Sequence, residues 1–170
     1  MTTDQDARYA DAAAQWGAAL QRIARATEAD PERRRDLLQD MHVTLWKSFV
    51  AFDGRCSVRT WVYRVAQNVA ASHVVREQRD RKRLVALDTI DDIPDASDAA
   101  DAVEADASLK RLYALIHSLR SPDREVITLY LEGLSAEGIG EVTGLSPGAI
   151  ATRISRVKAL LARMFHEVVS

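Results

Sequence analysis

Apolar residues recur along the chain at intervals of three and four, the spacing that gathers them on one face of a helix, and no stretch alternates in the manner of a strand. Trp16, Leu20 and Ile23 make the first such stripe, in an alanine-rich stretch from residue 7 to 27. Asp30-Pro31 then supplies an N-cap followed by proline at the first helical position, with Glu32 favourably placed in the first turn. A second helix is predicted from there to about Ala51, with Leu38, Met41, Leu45 and Phe49 inward. Leu37 and Trp46 flank that stripe, and Asp36, Gln39 and Asp40 form a polar, acidic edge. Asp53-Gly54 signals a turn, and Ser57 is placed to cap a third helix whose core stripe is Val58, Trp61, Val62, Val65 and Val69.

The helical pattern breaks between Leu84 and Ser108, where eight acidic residues from Asp88 to Asp106 surround Ile93-Pro94 and no Lys or Arg occurs. Such a composition predicts a flexible acidic linker. The pattern returns with Leu112, Leu115, Ile116 and Leu119. Ser121-Pro122 is read as the cap of a helix through Val126, Ile127, Tyr130 and Leu131, and Gly133 as its stop. Ser135 caps a short helix, AEGIGEVT, Gly144 ends it, and Ser146-Pro147 opens the last helix, PGAIATRISRVKALLARMF. With Ile139, Val142, Leu145, Ile150 and Ile154 apolar, this predicts a helix-turn-helix, whose second helix enters the major groove. Its exposed positions would be Ser146, Gly148, Ala149, Ala151, Thr152, Arg153, Ser155, Arg156 and Lys158, which suit phosphate gripping and base reading. An ordinary helical hairpin is the other reading of the same pattern. The fold expected is all-α: two small helical domains, 1–83 and 109–170, joined by an acidic linker over 84–108.

Charge sharpens the third helix. The chain carries a formal net charge of −2, yet residues 53–83 hold eight basic residues against Asp53, Glu77 and Asp80, a local net of +5. That is an electrostatic footprint for phosphates. Asn68 beside it offers an amide able to read a base edge, and Trp61 and Tyr63 offer flat surfaces for an unstacked base. A solvated basic face, with Trp61 as a core anchor, remains the competing reading.

Composition excludes several classes. With 47% hydrophobic residues in a chain of 170 there is enough for real cores. The single cysteine, Cys56, cannot form an internal disulfide, and His42, His73, His117 and His166 lack zinc-site spacing, so no structural metal or cofactor is expected. The acidic, polar start is unlike a secretory signal and no apolar run is long enough to span a membrane, which predicts a cytoplasmic protein without membrane insertion. No phosphate loop, nucleophile elbow or metal spacing suggests an enzyme or a small-molecule substrate.

Two blocks carry a family resemblance. DLLQDMHVTLWKSFVAFDGRCSVRTWVYRVAQNVA and YLEGLSAEGIGEVTGLSPGAIATRISRVKALL, in this order, resemble the bacterial RNA polymerase sigma factors of the compact extracytoplasmic-function group, and the resemblance covers nearly the whole chain. It implies partners in core RNA polymerase, promoter DNA and an anti-sigma factor that holds the protein inactive. It further implies that Asp36, Leu37, Leu38, Gln39 and Asp40 dock on the clamp helices of the largest polymerase subunit. The loop from Asp53 to Val58, Arg55 included, and Asn68 would hold a flipped base of the minus-ten element, with Trp61, Tyr63, Arg64, Ser72, His73 and Arg76 about that strand. The stretch from Ser146 to Lys158 would read the minus-thirty-five element, Arg153 and Arg156 making direct contacts, and the acidic linker would thread the polymerase's RNA path. The chain departs from the family pattern at Gly138 and Gly140, at Ala151 in place of lysine, at Met41-His42 and at Ser72. A helix-turn-helix regulator that binds duplex DNA without polymerase is the alternative, and the first domain is what discriminates the two.

Overall fold

A computed structural model describes residues 3–87 and 106–166. Seven helices make up the described residues, which contain no strand: α1 (Asp4–Thr27), α2 (Pro31–Ser48), α3 (Val58–Leu87), α4 (Asp106–Ser118), α5 (Asp123–Leu131), α6 (Ala136–Thr143) and α7 (Pro147–His166). The helices at the linker's edges run further than the sequence pattern suggested, since 84–87 extend α3 and 106–108 open α4. The remainder of the acidic stretch lies outside the described residues. No helix among the described residues is long and apolar enough to cross a membrane. The chain divides into two compact units, one comprising Met1–Phe52 and Val65–Ala102, the other Asp53–Arg64 and Val103–Ser170.

In the first unit α1 and α2 form an antiparallel pair. Thr3 starts α1 with a reciprocal capping box, its hydroxyl accepting from the Asp6 N–H while the Asp6 carboxylate accepts from the Thr3 N–H. Asp30 caps α2 and Pro31 occupies its first turn, as the sequence required. Ala12, Ala19 and Ala24 are buried along α1 beside Leu20 and Ile23, and these small side chains let α2 approach closely. On α2 the wholly buried set is Leu37, Met41 and Leu45, followed by Phe49. Leu37 therefore replaces Leu38 in the core stripe. The reason is geometric: 37, 41 and 45 repeat every four residues and share one row, which is wholly buried, while Leu38 sits at its margin in a groove beside Ala24 of α1.

The stripe of α3 is also rotated. Val62, Ala66 and Ala70 are buried and His73 follows them inward, whereas Val58, Trp61, Val65 and Val69 are only half-buried. Two alanines thus do what larger valines were expected to do. Ser57 caps α3 as anticipated, accepting from the Thr60 N–H at 3.1 Å.

In the second unit α5, α6 and α7 pack on one another and α4 packs on α5. Ile116, Val126, Ile127, Leu129, Leu134, Ile139, Ile150 and Val157 form its core. Each such side chain contributes about 1.5–3 kcal/mol of burial. Ser135 and Ser146 cap α6 and α7 through the Gly138 and Ala149 N–H groups. Gly144 closes α6 at φ +78°, a left-handed conformation that a side chain would strain. Ser121 departs from expectation. The cap position of α5 belongs to Pro122, which has no side-chain cap bond, and the Ser121 hydroxyl donates to the Glu125 carboxylate instead.

Candidate functional site

On α2, Asp36, Gln39 and Asp40 are exposed, as a docking edge requires. Leu37 is not part of that surface, because it is 0% exposed. Leu38 is half-buried and lines a groove of about 330 Å³ with Ala24 and Pro31, rimmed by Arg25, Arg34 and Arg35. The exposed row continues at helical spacing through Val43 and Trp46, and Val50 is exposed in the turn that follows α2, three large apolar side chains open to solvent. Their three- and four-residue spacing from Gln39 was the signal for them in the sequence; only Trp46 was singled out, and as a flank. Its indole Nε1 donates to Asp6 Oδ1 at 2.8 Å, and that bond, with those from Thr3, holds the Asp6 carboxyl below its ordinary range.

Asn68 and Ser72 are exposed on α3, and so is Arg76, whose Nη2 lies 3.7 Å from Asp40 Oδ2. Arg55 is almost fully exposed and pairs with Asp53 at 3.0 Å. Trp61 and Arg64 are half-buried. Two expected strand contacts lie elsewhere. Tyr63 is buried, with the Arg59 guanidinium 6.0 Å from its ring centroid, so it offers no open stacking face. His73 is buried too, with Nε2 3.0 Å from Glu28 Oε1. Glu28 was not anticipated, for it sits 45 positions away and belongs to no motif.

Arg33 completes this cluster. Its guanidinium lies 3.1 Å from Glu77, 3.2 Å from Asp30 and 3.5 Å from Glu28. Ligating atoms of Glu28, His73 and Glu77 lie within 4.8 Å of one another, but Arg33 reaches both carboxylates and supplies the cation they need. The arrangement is an ion network tying the α1–α2 corner to α3.

Along α7, Ser146, Gly148, Ala151, Thr152, Ser155, Arg156 and Lys158 are exposed, and Ala149 is half-buried. The Thr152 hydroxyl donates to the Gly148 carbonyl at 3.0 Å, and Lys158 Nζ stands 4.8 Å from the Tyr130 ring centroid. Arg153 is turned away from this face: its Nη1 donates to Asp123 Oδ1 on α5 at 2.7 Å. A guanidinium so engaged presents no open fork to a base.

Two helical units, the second a helix-turn-helix with a basic, capped second helix, define a DNA-binding transcription protein, and the sequence comparisons narrow the class. Residues 13–80 match Sigma-70 region 2 and residues 109–161 match Sigma-70, region 4. The ECF RNA polymerase sigma factor SigC of Mycobacterium tuberculosis is 30% identical over 158 residues, 86% of this chain and 83% of the relative. The ECF RNA polymerase sigma-E factor of Haemophilus influenzae is 28% identical over 134 residues, 74% and 71% of the two chains. SigX of Bacillus subtilis is 25% identical over 127 residues, which span 66% of its length. Two solved structures share the fold. RpoE of Bartonella quintana, in complex with the anti-sigma factor NepR, superposes with a TM-score of 0.73 at 19% identity over 93% of this chain and 96% of that one. CnrH, in complex with the cytosolic domain of CnrY, gives 0.66 at 24% identity over 94% and 88%. The chain belongs to the extracytoplasmic-function group of the sigma-70 family. It is a sigma factor, a subunit that binds core RNA polymerase and directs it to promoters.

Proposed function

We propose that residues 1–83 dock on core polymerase and engage the minus-ten element, that 84–108 link the two ends, and that 109–170 engage the minus-thirty-five element. The observation that carries this is the division of α2: Leu37, Met41 and Leu45 are committed to the core, which leaves Asp36, Gln39 and Asp40, then Val43 and Trp46, as one open helix face, with exposed Val50 in the turn just beyond it. A polar edge that runs into an apolar row suits a partner helix. Leu37 supports the face from beneath. On α3, the exposed amide of Asn68 is the residue for a base drawn out of the duplex, with Ser72 and Arg76 beside the strand. Holding an extruded base favours the open duplex by mass action, so melting proceeds by binding alone, with no catalytic residue.

The protein acts in the cytoplasm, where core polymerase and promoter DNA are found. An anti-sigma factor is its natural restraint, in keeping with the anti-sigma factor NepR bound to RpoE in a structure that shares this fold. The test is co-purification of core polymerase with the protein, followed by in vitro transcription of genomic fragments. Association and discrete new start sites are expected; duplex binding by the protein alone, without polymerase, would favour an independent regulator. Asn68→Ala should reduce open-complex formation roughly tenfold while polymerase affinity holds, on the scale of one lost base contact. Reversal of both Asp36 and Asp40 to lysine should do the opposite. Equal losses of both activities in each variant would remove the assigned roles.

A further inference from the structure

Two arginines one helical turn apart on α7 share a single carboxylate on α5 on unequal terms. Arg153 Nη1 is 2.7 Å from Asp123 Oδ1, and the two side chains are only 28% and 20% exposed. Arg156 Nη1 is 3.9 Å from the other carboxylate oxygen, and its side chain is 59% exposed. Asp123 opens α5, where the helix dipole favours an acid. The first contact is a short, shielded, charge-assisted bond; the second is long and solvated, of the kind that exchanges readily.

We propose that Asp123 is a positioning and specificity-determining residue for the upstream promoter contact. It withdraws Arg153 from DNA as an anchor of α7 and restrains Arg156 loosely over the open face, leaving Thr152, Ser155 and Arg156 to meet base edges. This rests on the reading of α7 as the helix that enters the major groove. Direct reading of a guanine takes both arms of a guanidinium, which Arg153 cannot offer while Asp123 holds it. The carboxylate also cancels one positive charge beside the phosphates. Without it, two arginines would grip backbone indiscriminately, raising affinity for any sequence and flattening the choice among sequences.

The experiment uses holoenzyme reconstituted from core polymerase and the full chain. A promoter recovered by genomic transcription, with its upstream element randomised, is transcribed and the products sequenced; the salt dependence of promoter binding and the melting temperature of each purified variant are measured alongside. Arg156→Ala should erase roughly tenfold base preference at one position or two adjacent ones. Arg153→Met should leave the pattern of preferences in place while lowering the melting temperature. Asp123→Asn retains an oxygen that accepts from Arg153 and so keeps the fold. It should broaden preference at the position Arg156 governs and steepen the log-affinity against log-salt slope by about 0.9, one further phosphate contact. A merely structural Asp123 would move neither the slope nor the preferences, and that result overturns the proposal. Loss of base preference in Arg153→Met at unchanged melting temperature overturns it as well, by making Arg153 a reader. If Arg156→Ala, Thr152→Ala and Ser155→Ala all leave the upstream preference intact, the reading of α7 itself fails, an outcome distinct from failure of the role given to Asp123.

Discussion

The N-terminal three helices and the C-terminal four are held by different means. Among the described residues, α1 to α3 are tied by side chains bonding from one helix to another: Glu28 to His73, Arg33 to Glu77, Trp46 to Asp6 and Tyr9 to His42, partners 33 to 45 positions apart in the chain. The C-terminal helices are set instead by local devices: Ser135 and Ser146 as caps, and Gly133 and Gly144 at positive φ between helices. Long-range polar ties also occur here, the Asp123–Arg153 pair between α5 and α7 and the bonds that Thr60 and Arg64 at the start of α3 donate to Glu141 of α6. The difference teaches where each region is vulnerable. The first depends on charges that must find each other across the fold, the second on backbone geometry written within four residues.

The largest consequence falls on Glu28. Its carboxylate is nearly buried, faces His73 Nε2 and Arg33, and accepts from the Asp30 N–H at 3.2 Å. Glu28→Ala leaves the buried His73 imidazole without its partner, while Arg33 keeps Glu77 and Asp30, and should cost about 2 kcal/mol, the scale for leaving one buried polar group unsatisfied. Urea unfolding followed by tryptophan fluorescence checks this, since Trp16, Trp46 and Trp61 all lie in the N-terminal 61 residues. A loss below about 1 kcal/mol would mean that the apolar contacts of α1 and α2 hold this region unaided and the contrast with the C-terminal helices would collapse.

The same contrast explains what the sequence discloses. In the second region α6 and the start of α7 are the most legible, because Ser135, Gly144 and Ser146 act on their own neighbours, whereas α4 opens at Asp106 within the stretch read as linker and Ser121 does not cap α5. The face of α7 follows from its cap, and the reading errs there on Arg153, the residue whose partner lies 30 positions away. α3 is harder. Valines occur on several of its sides, so hydrophobicity alone does not single out the row Val62, Ala66, Ala70, and nothing near His73 announces that Glu28 waits inside. Leu37 and Leu38 are alike in chemistry and differ only in the row each occupies on α2, one wholly buried and the other half-buried. Of the candidate interfaces, exposed Asp36, Gln39, Asp40, Asn68 and Arg156 stand where the pattern put them, while Leu37, Tyr63, His73 and Arg153 turn inward.

A smaller effect sharpens the C-terminal half of the comparison. Gly138 and Gly140 both cost α6 helix propensity, about 1 kcal/mol each relative to alanine. They are not equivalent. A methyl group at Gly138 would sit 3.4 Å from Ser135 Oγ and 3.7 Å from Leu134 Cβ, ordinary contacts, so Gly138→Ala should stabilise by about 0.5–1 kcal/mol. At Gly140 it would meet the Leu145 backbone carbonyl at 3.0 Å, where the turn of the helix-turn-helix folds back on α6. Gly140→Ala should therefore be neutral or destabilising, despite the same gain in propensity. Thermal unfolding monitored by helical circular dichroism separates the two; stabilisation by both would show that the turn can yield, and that close approach does not require glycine there.

The smallest effect returns to a cross-helix tie of the N-terminal region. His42 Nδ1 is 2.9 Å from the Tyr9 hydroxyl, the rings meet edge-on at 6.0 Å, and burial lowers the imidazole pKa from its ordinary 6.5. The folded chain therefore resists the proton that the unfolded chain accepts near pH 6.5. The stability contributed by neutral His42 is fully present above that value and is lost as pH falls below it, through the lowered folded value. In the neutral tautomer that carries its proton on Nε2, His42 accepts the Tyr9 O–H at Nδ1; protonation makes Nδ1 a donor and places a charge between α1 and α2. His42→Gln keeps an acceptor for Tyr9 without a titrating ring, so its melting temperature should fall less steeply than the parent's between pH 7.5 and 5. Every other titrating group is common to both proteins, and the difference in slope isolates His42. Parallel curves would show that the Tyr9 tie is indifferent to protonation, leaving the network around Glu28 to carry the polar bracing of α1 to α3.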